Sequence, residues 1–127
     1  MSKRILVIDD DEAIRKSFML ALEDTVYEVD TAESGEKGIE MEQKSKYDLV
    51  FLDLKMPGLN GVETLRGLRK IDKDVPVYIV TAFFKEFFEG LKSAEEDGID
   101  FQVLKKPIGA EDIVLVAKGV LEGPTAY

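Results

Sequence analysis

The chain contains no cysteine and no histidine in 127 residues. Without cysteine, disulfides and thiolate metal sites are excluded, and a reducing cytoplasm is the expected compartment. Without histidine, imidazole acid–base catalysis, catalytic triads and most zinc sites are excluded too. Cations are also scarce: 17 Lys and Arg against 26 Asp and Glu leave a net charge of −9. That balance argues against direct nucleic-acid binding, which needs clustered positive charge. No apolar run approaches a signal core or a membrane span, so no membrane association is expected. Low-complexity segments and internal repeats are absent as well. Any chemistry must therefore use carboxylates, hydroxyls, lysines and a hard cation.

What is there is an alternation of strand-length apolar runs with helix-period segments, the pattern of βα units around a parallel sheet. The first strand spans Arg4 to Ile8, and Asp10 or Asp11 caps a helix whose core side carries Ile14, Phe18, Ala21 and Leu22. Val26 to Thr31 predicts a more polar strand near an edge, and Ser34 caps a second helix ending near Lys44. The third strand runs from Leu49 to Asp53, then a Pro57-Gly58 loop leads to Asn60 and Glu63, a full capping box for a helix to about Arg69. Val77 to Thr81 gives the fourth strand and Lys85 to Glu96 the fourth helix, stopped at Asp97-Gly98. Phe101 to Lys105 and Ala110 to Leu121 complete five pairs. Residues 1–122 are expected to form one domain and 123–127 a flexible tail, with no room for a second domain.

Asp53 is the residue that folding alone explains least. It follows Leu49-Val50-Phe51-Leu52, a strand suited to burial on both faces, where a carboxylate costs several kcal/mol unless paired or solvated. At the carboxyl end of such a strand it faces the crevice where open α/β sheets bind ligands. Asp9 and Asp10 stand in the same relation to Ile5-Leu6-Val7-Ile8. Right-handed crossovers bring all strand ends to one edge, so Thr81 and the Lys105-Lys106 pair join the three acids. Carboxylates plus a backbone carbonyl make an oxygen-only site suited to Mg²⁺, and a lysine opposite can pair with a phosphate. A carboxylate nucleophile that accepts a phosphoryl group is the simplest reading.

Asp9-Asp10, Asp53 within Asp53-Leu54-Lys55-Met56-Pro57-Gly58, Gly61, Thr81-Ala82 and Lys106-Pro107 occur in order at successive strand ends. Over essentially its whole length, the chain thereby resembles the receiver domains of two-component response regulators. The resemblance implies a (βα)5 flavodoxin-like fold with strand order 2-1-3-4-5. It also implies Mg²⁺ held by Asp10, Asp53 and the Lys55 carbonyl, with Asp9 assisting through water. Asp53 would then take a phosphoryl group from a histidine kinase or histidine phosphotransfer protein. The missing histidine places that donor on another molecule. Lys106 would pair with the phosphoryl group or with Asp53, and Thr81 would swing towards the phosphate. Phosphorylation would switch the face made by the fourth helix, fifth strand and fifth helix, which could also carry a homodimer. The chain would catalyse only its own phosphorylation and dephosphorylation.

Two departures from the family pattern stand out. One extra residue appears between Gly98 and Pro107; anchoring on the proline makes Lys106 the active lysine, and anchoring on the glycine makes it Lys105. The insertion is expected in the loop, which favours Lys106. The aromatic residue usual three positions before that lysine is replaced by Val103, or by Gln102 in the other register. The Lys106-Pro107 bond is expected to be cis by family resemblance. The segment Phe83-Phe84-Lys85-Glu86-Phe87-Phe88 holds four of seven phenylalanines, either as a wide core stripe or as a contact face. Lys55 and Phe83 are expected to flank the phosphoryl group and hinder water. A haloacid-dehalogenase-like phosphatase would need a second Asp where Lys55 stands. A degenerate receiver acting only as an interaction module is the remaining alternative.

Overall fold

The computed structural model describes residues 2–123; from residue 124 onward, the predicted tail lies outside the described residues. Ten elements alternate along the chain: β1 (Arg4–Ile8), α1 (Glu12–Ala21), β2 (Glu28–Ala32), α2 (Gly35–Lys44), β3 (Leu49–Leu52), α3 (Gly61–Ile71), β4 (Val77–Thr81), α4 (Phe88–Glu96), β5 (Gln102–Lys105) and α5 (Ala110–Leu121). The five strands form one parallel sheet in the order 2-1-3-4-5, as the family resemblance implied. No helix of the described residues is long and apolar enough to cross a membrane.

The strand period of two sorts the core into two layers. Leu6, Ile8, Val50, Leu52, Val77 and Ile79 face α2, α3 and α4, packing against Leu65, Leu68, Leu91 and Ala94. Ile5, Val7, Leu49, Phe51 and Val80 face α1 and α5, packing against Phe18, Leu22, Ile113 and Ala117. Each fully buried aliphatic side chain contributes about 1.5–3 kcal/mol, so the central strands β1 and β3, buried along almost their whole length, anchor the sheet. Phe18 and Phe51 stack at 4.9 Å between ring centroids and tie α1 to the centre.

Several boundaries differ from those read in the sequence. β2 starts at Glu28, not Val26, because its register with β1 begins at the Arg4 to Glu28 pair and Val26 stays outside it, largely exposed. The α1 cap is Asp11, which accepts from the Ala13 amide and leaves Asp10 free. β3 stops at Leu52, one residue before Asp53. The largest change is in α4, which starts at Phe88 and not at Lys85. The Phe83 amide is taken by the Thr81 hydroxyl oxygen, and no side chain caps the helix; residues 84–87 form turns before it. The helix stop does fall at Asp97-Gly98, with Gly98 at φ +83°. The Lys106-Pro107 bond is cis.

Gly61 matters most for the site. Its amide donates to the Leu54 carbonyl at 2.7 Å, closing the loop after Asp53. A Cβ here would lie 2.3 Å from the Asp53 carbonyl oxygen and 2.6 Å from Leu54 Cα, both main-chain atoms that cannot move aside. Gly61→Ala is therefore expected to lower stability by about 1–3 kcal/mol, the usual range for overpacking. It should also shift the amide resonances of residues 53–56. A variant with wild-type denaturation midpoint and spectrum would show that the loop yields.

Candidate functional site

The sheet sets the backbone of the site one residue beyond the strands. The Asp9 amide donates to the Ala32 carbonyl (3.1 Å), the Asp53 amide to Ile8 (2.9 Å) and the Lys106 amide to Thr81 (2.9 Å). Each inter-strand bond carries the ladder past a strand's end, so two acids and a lysine are aimed by the framework and not by loops. One carboxylate oxygen each from Asp9, Asp10 and Asp53 lies within 4.8 Å of the others. Asp9 and Asp53 are buried, while Asp10 faces solvent.

Lys106 answers part of this charge. Its Nζ lies 2.9 Å from Asp9 Oδ2 and 3.6 Å from Asp53 Oδ1. The closer partner is thus Asp9, where the sequence pointed to Asp53 or a phosphoryl group. Lys105 ends β5 with an exposed side chain. Asp9 Oδ1 also accepts from the Asp11 amide at 2.9 Å, and Arg15 donates to the Asp9 carbonyl at 2.8 Å, which fixes the start of α1 against β1. Asp53 is left short of donors: its Oδ1 is buried with no hydrogen bond. Burial first and the neighbouring Asp9 second push its carboxyl up to about 6, against the opposing pull of Lys106. Burial works to lower the Lys106 pKa, but Asp9 and Asp53 outweigh it and hold the ammonium charged.

These residues fit a hard divalent cation. The donor set is all oxygen, three carboxylates face a single ammonium, and one buried oxygen lacks a partner. The Lys55 main-chain carbonyl belongs to the loop that follows Asp53. Its side chain turns elsewhere, to Glu86 Oε1 at 3.3 Å and over the Phe83 ring at 4.6 Å. Thr81 is buried at the end of β4, its hydroxyl oxygen engaged by the Phe83 amide at 2.9 Å. Glu86 and Arg15 were not singled out in the sequence. Glu86 was hidden because its segment reads as helix, whereas the turns at 84–87 bring it across to Lys55.

The apolar surplus divides. Phe84 and Phe87 pack against the core beside Ile99, Phe101 and Val103, while Phe83 and Phe88 are 40% and 45% exposed. Phe84, Phe88, Leu91, Phe101 and Val103 line a groove between α4 and β5. In α5, Ile113 and Ala117 are buried and Leu115 is 71% exposed.

A five-stranded parallel sheet with three acids, a threonine and a lysine at its carboxyl edge defines a doubly wound α/β domain built around an acidic pocket. The family model for the response regulator receiver domain matches residues 5–118, and the chain belongs to that family. Response regulator MprA of Mycobacterium ulcerans is 35% identical over 123 residues, covering 95% of this chain and 51% of that protein. The transcriptional regulatory protein ResD of Bacillus subtilis is 35% identical over 120 residues, covering 93% and 48%. The chain thus spans about half the length of these curated relatives. Among solved structures, a CheY-like receiver domain protein from Methanospirillum hungatei superposes with TM-score 0.86 at 29% identity, covering 96% and 95% of the two chains. Vibrio cholerae CheY4 superposes with TM-score 0.81 at 26% identity, covering 94% and 99%.

The crowded acids should cost stability when no cation is bound. A pKa raised in the fold means that the ionised carboxylate disfavours the native state, so stability falls as pH rises from about 4 through about 6. In chelator at pH 7, Asp53→Asn is expected to be more stable than wild type by about 1–2 kcal/mol, after allowance for solvent screening. Mg²⁺ should raise the wild-type melting temperature more than that of the variant. Equal or lower stability of the variant in denaturant titrations would contradict this account.

Proposed function

We propose that this chain is a phosphoacceptor, and that Asp53 takes a phosphoryl group from a phosphohistidine on a partner histidine kinase or histidine phosphotransfer protein. The observation that carries the reading is the buried Asp53 Oδ1, free of donors, beside Lys106 and at the mouth of the crevice. A carboxylate oxygen bonds to phosphorus as the phosphorus–nitrogen bond breaks, leaving an acyl phosphate on Asp53 and the electron pair on the donor imidazole. None of these 127 residues is a histidine, so the donor imidazole lies outside them. Lys106 pairs with the transferred phosphoryl oxygens as a point charge. Asp9, Asp10, Asp53 and the Lys55 carbonyl would hold Mg²⁺, which when bound neutralises charge on the phosphoryl oxygens.

Thr81 is the reader of the new charge. Its hydroxyl turns from accepting the Phe83 amide to donating its proton to a phosphoryl oxygen, which loosens the turns at 84–87 and passes the change to the α4–β5–α5 face. That face is the output surface and the place for a homodimer, and the setting is the cytoplasm. With Val103 in place of an aromatic residue, the signal passes through the groove of Phe84, Phe88 and Phe101 without a rotating ring on β5. The chain acts on itself and turns over no separate substrate.

Incubation with acetyl phosphate and Mg²⁺ should add one phosphoryl group by intact mass. Labelling should vanish with chelator and in Asp53→Asn. Persistent labelling of that variant would remove Asp53 as the acceptor. No labelling of the wild type by acetyl phosphate or by a phosphorylated histidine kinase would favour a receiver that only binds partners.

Lys55 and Phe83 form a cation–aromatic contact beside the site, and such a pair shields the acyl phosphate from water. Lys55→Ala and Phe83→Ala should each shorten its half-life several-fold, read by loss of the mass-shifted species. Unchanged half-lives would exclude that shielding.

A further inference from the structure

At the end of the sheet remote from Asp53, the carboxyl groups of Glu42 and Asp72 lie within hydrogen-bonding reach of each other. Glu42, in the last turn of α2, is 3% exposed, and Asp72, the C-cap of α3, is 8% exposed. Asp72 is held as an ionised acceptor through Oδ1, which takes the Asp74 amide at 3.0 Å and the Val75 amide at 3.1 Å. Glu42 Oε2 takes the Tyr47 amide at 3.4 Å, and Glu42 Oε1 is buried with no donor. An ionised Glu42 would leave that oxygen unsatisfied against a second carboxylate, an arrangement costing several kcal/mol.

No neighbouring cation resolves the conflict. On α3, the Arg69 guanidinium donates to the carbonyls of Val75 (2.6 Å), Asp100 (2.8 Å) and Asp72 (3.3 Å), and its buried Nε has no partner. On the α2–β3 connection, Lys46 is exposed, and the Tyr47 phenol donates to Asp30 at 2.6 Å. Only a proton turns the facing acids into a bond. We infer that Glu42 is a neutral acid whose hydroxyl donates to the Asp72 carboxylate, forming a proton-dependent clasp between the end of α2 and the end of α3. This clasp is separate from the acid pocket and does not depend on phosphorylation.

The electrostatics agree with that division of roles. Burial first, then the facing Asp72, raises the Glu42 carboxyl to about 7, against the Tyr47 amide and Lys46. Burial also works against charge on Asp72, but the Asp74 amide, Glu42 and the Val75 amide outweigh it and hold that carboxyl below the usual range. With its pKa raised in the fold, Glu42 keeps a proton that the unfolded chain releases at lower pH. The stability it supports is therefore present at acid pH and declines as pH rises from about 4.5 towards 7.

Two measurements test the clasp. The Glu42 side-chain carboxyl carbon, followed by NMR in the wild-type protein, should titrate near neutral pH; titration near the ordinary glutamate value would overturn the inference. In Glu42→Gln the amide can donate to Asp72 and accept from Tyr47 at every pH. Relative to wild type, its unfolding equilibrium constant should fall by about tenfold between pH 5.5 and 8.5. Asp53 titrates in both proteins and cancels from that ratio, since distant sites add. A ratio that stays flat across the range would refute the clasp, and the wild-type NMR result stands whether or not the variant folds well.

Discussion

Crowding of like charge at the carboxyl edge of the sheet is the constraint on which the rest of this structure turns. Three carboxylates share a space spanned by less than 5 Å, and one ammonium, that of Lys106, sits among them. The backbone cannot relax this crowding, because Asp9, Asp53 and Lys106 are each held by a main-chain bond to the neighbouring strand. That rigidity comes from the two-layer core: Ile5 to Ile8 and Leu49 to Leu52 have packing partners above and below. Hydrophobic burial thus supplies the free energy that keeps repelling charges together. The result is a pocket with more negative charge than its own lysine can answer, a set of oxygens that fits a hard cation.

The same logic appears at the other end of the sheet with a different solution. Glu42 and Asp72 face each other in a buried position, and a proton takes the place that Lys106 holds in the acid pocket. The two sites differ in access. Asp10 opens the upper pocket to solvent, so ions can exchange there, while both members of the lower pair are buried. Between them lies the rigid sheet, and beside it the turn segment 84–87, closed by bonds of 3.2 and 3.4 Å and by the Lys55–Glu86 pair. No side chain caps α4 after this stretch, and lightly bonded turns are among the first places where a fold opens locally.

Much of this was legible in the residue order. Buried strands of continuous Ile, Leu, Val and Phe announce a parallel sheet covered on both faces, and acids at their ends announce a crevice. The capping box at Asn60 and Glu63 and the stop at Asp97-Gly98 are local devices, so sequence alone locates them. The start of α4 was less legible: helical periodicity runs through Phe84, Phe87 and Phe88, but the Thr81 hydroxyl takes the Phe83 amide two residues on, and the helix begins only at Phe88. Glu86 reaching Lys55 and Glu42 reaching Asp72 were invisible for a different reason, since each pair joins segments far apart in the chain.

Sequence by itself determined the chemical vocabulary. With no histidine or cysteine, it left carboxylates, a threonine and lysines at strand ends, because period and composition are local properties of the chain. Tertiary structure decided which of those groups touch. It set Lys106 closer to Asp9 than to Asp53, left Asp53 Oδ1 without a donor and turned Asp10 to solvent. It also turned a glutamate on one helix towards the cap of another. Distances and burial fix charge states, and both arise only when separate segments pack against one sheet.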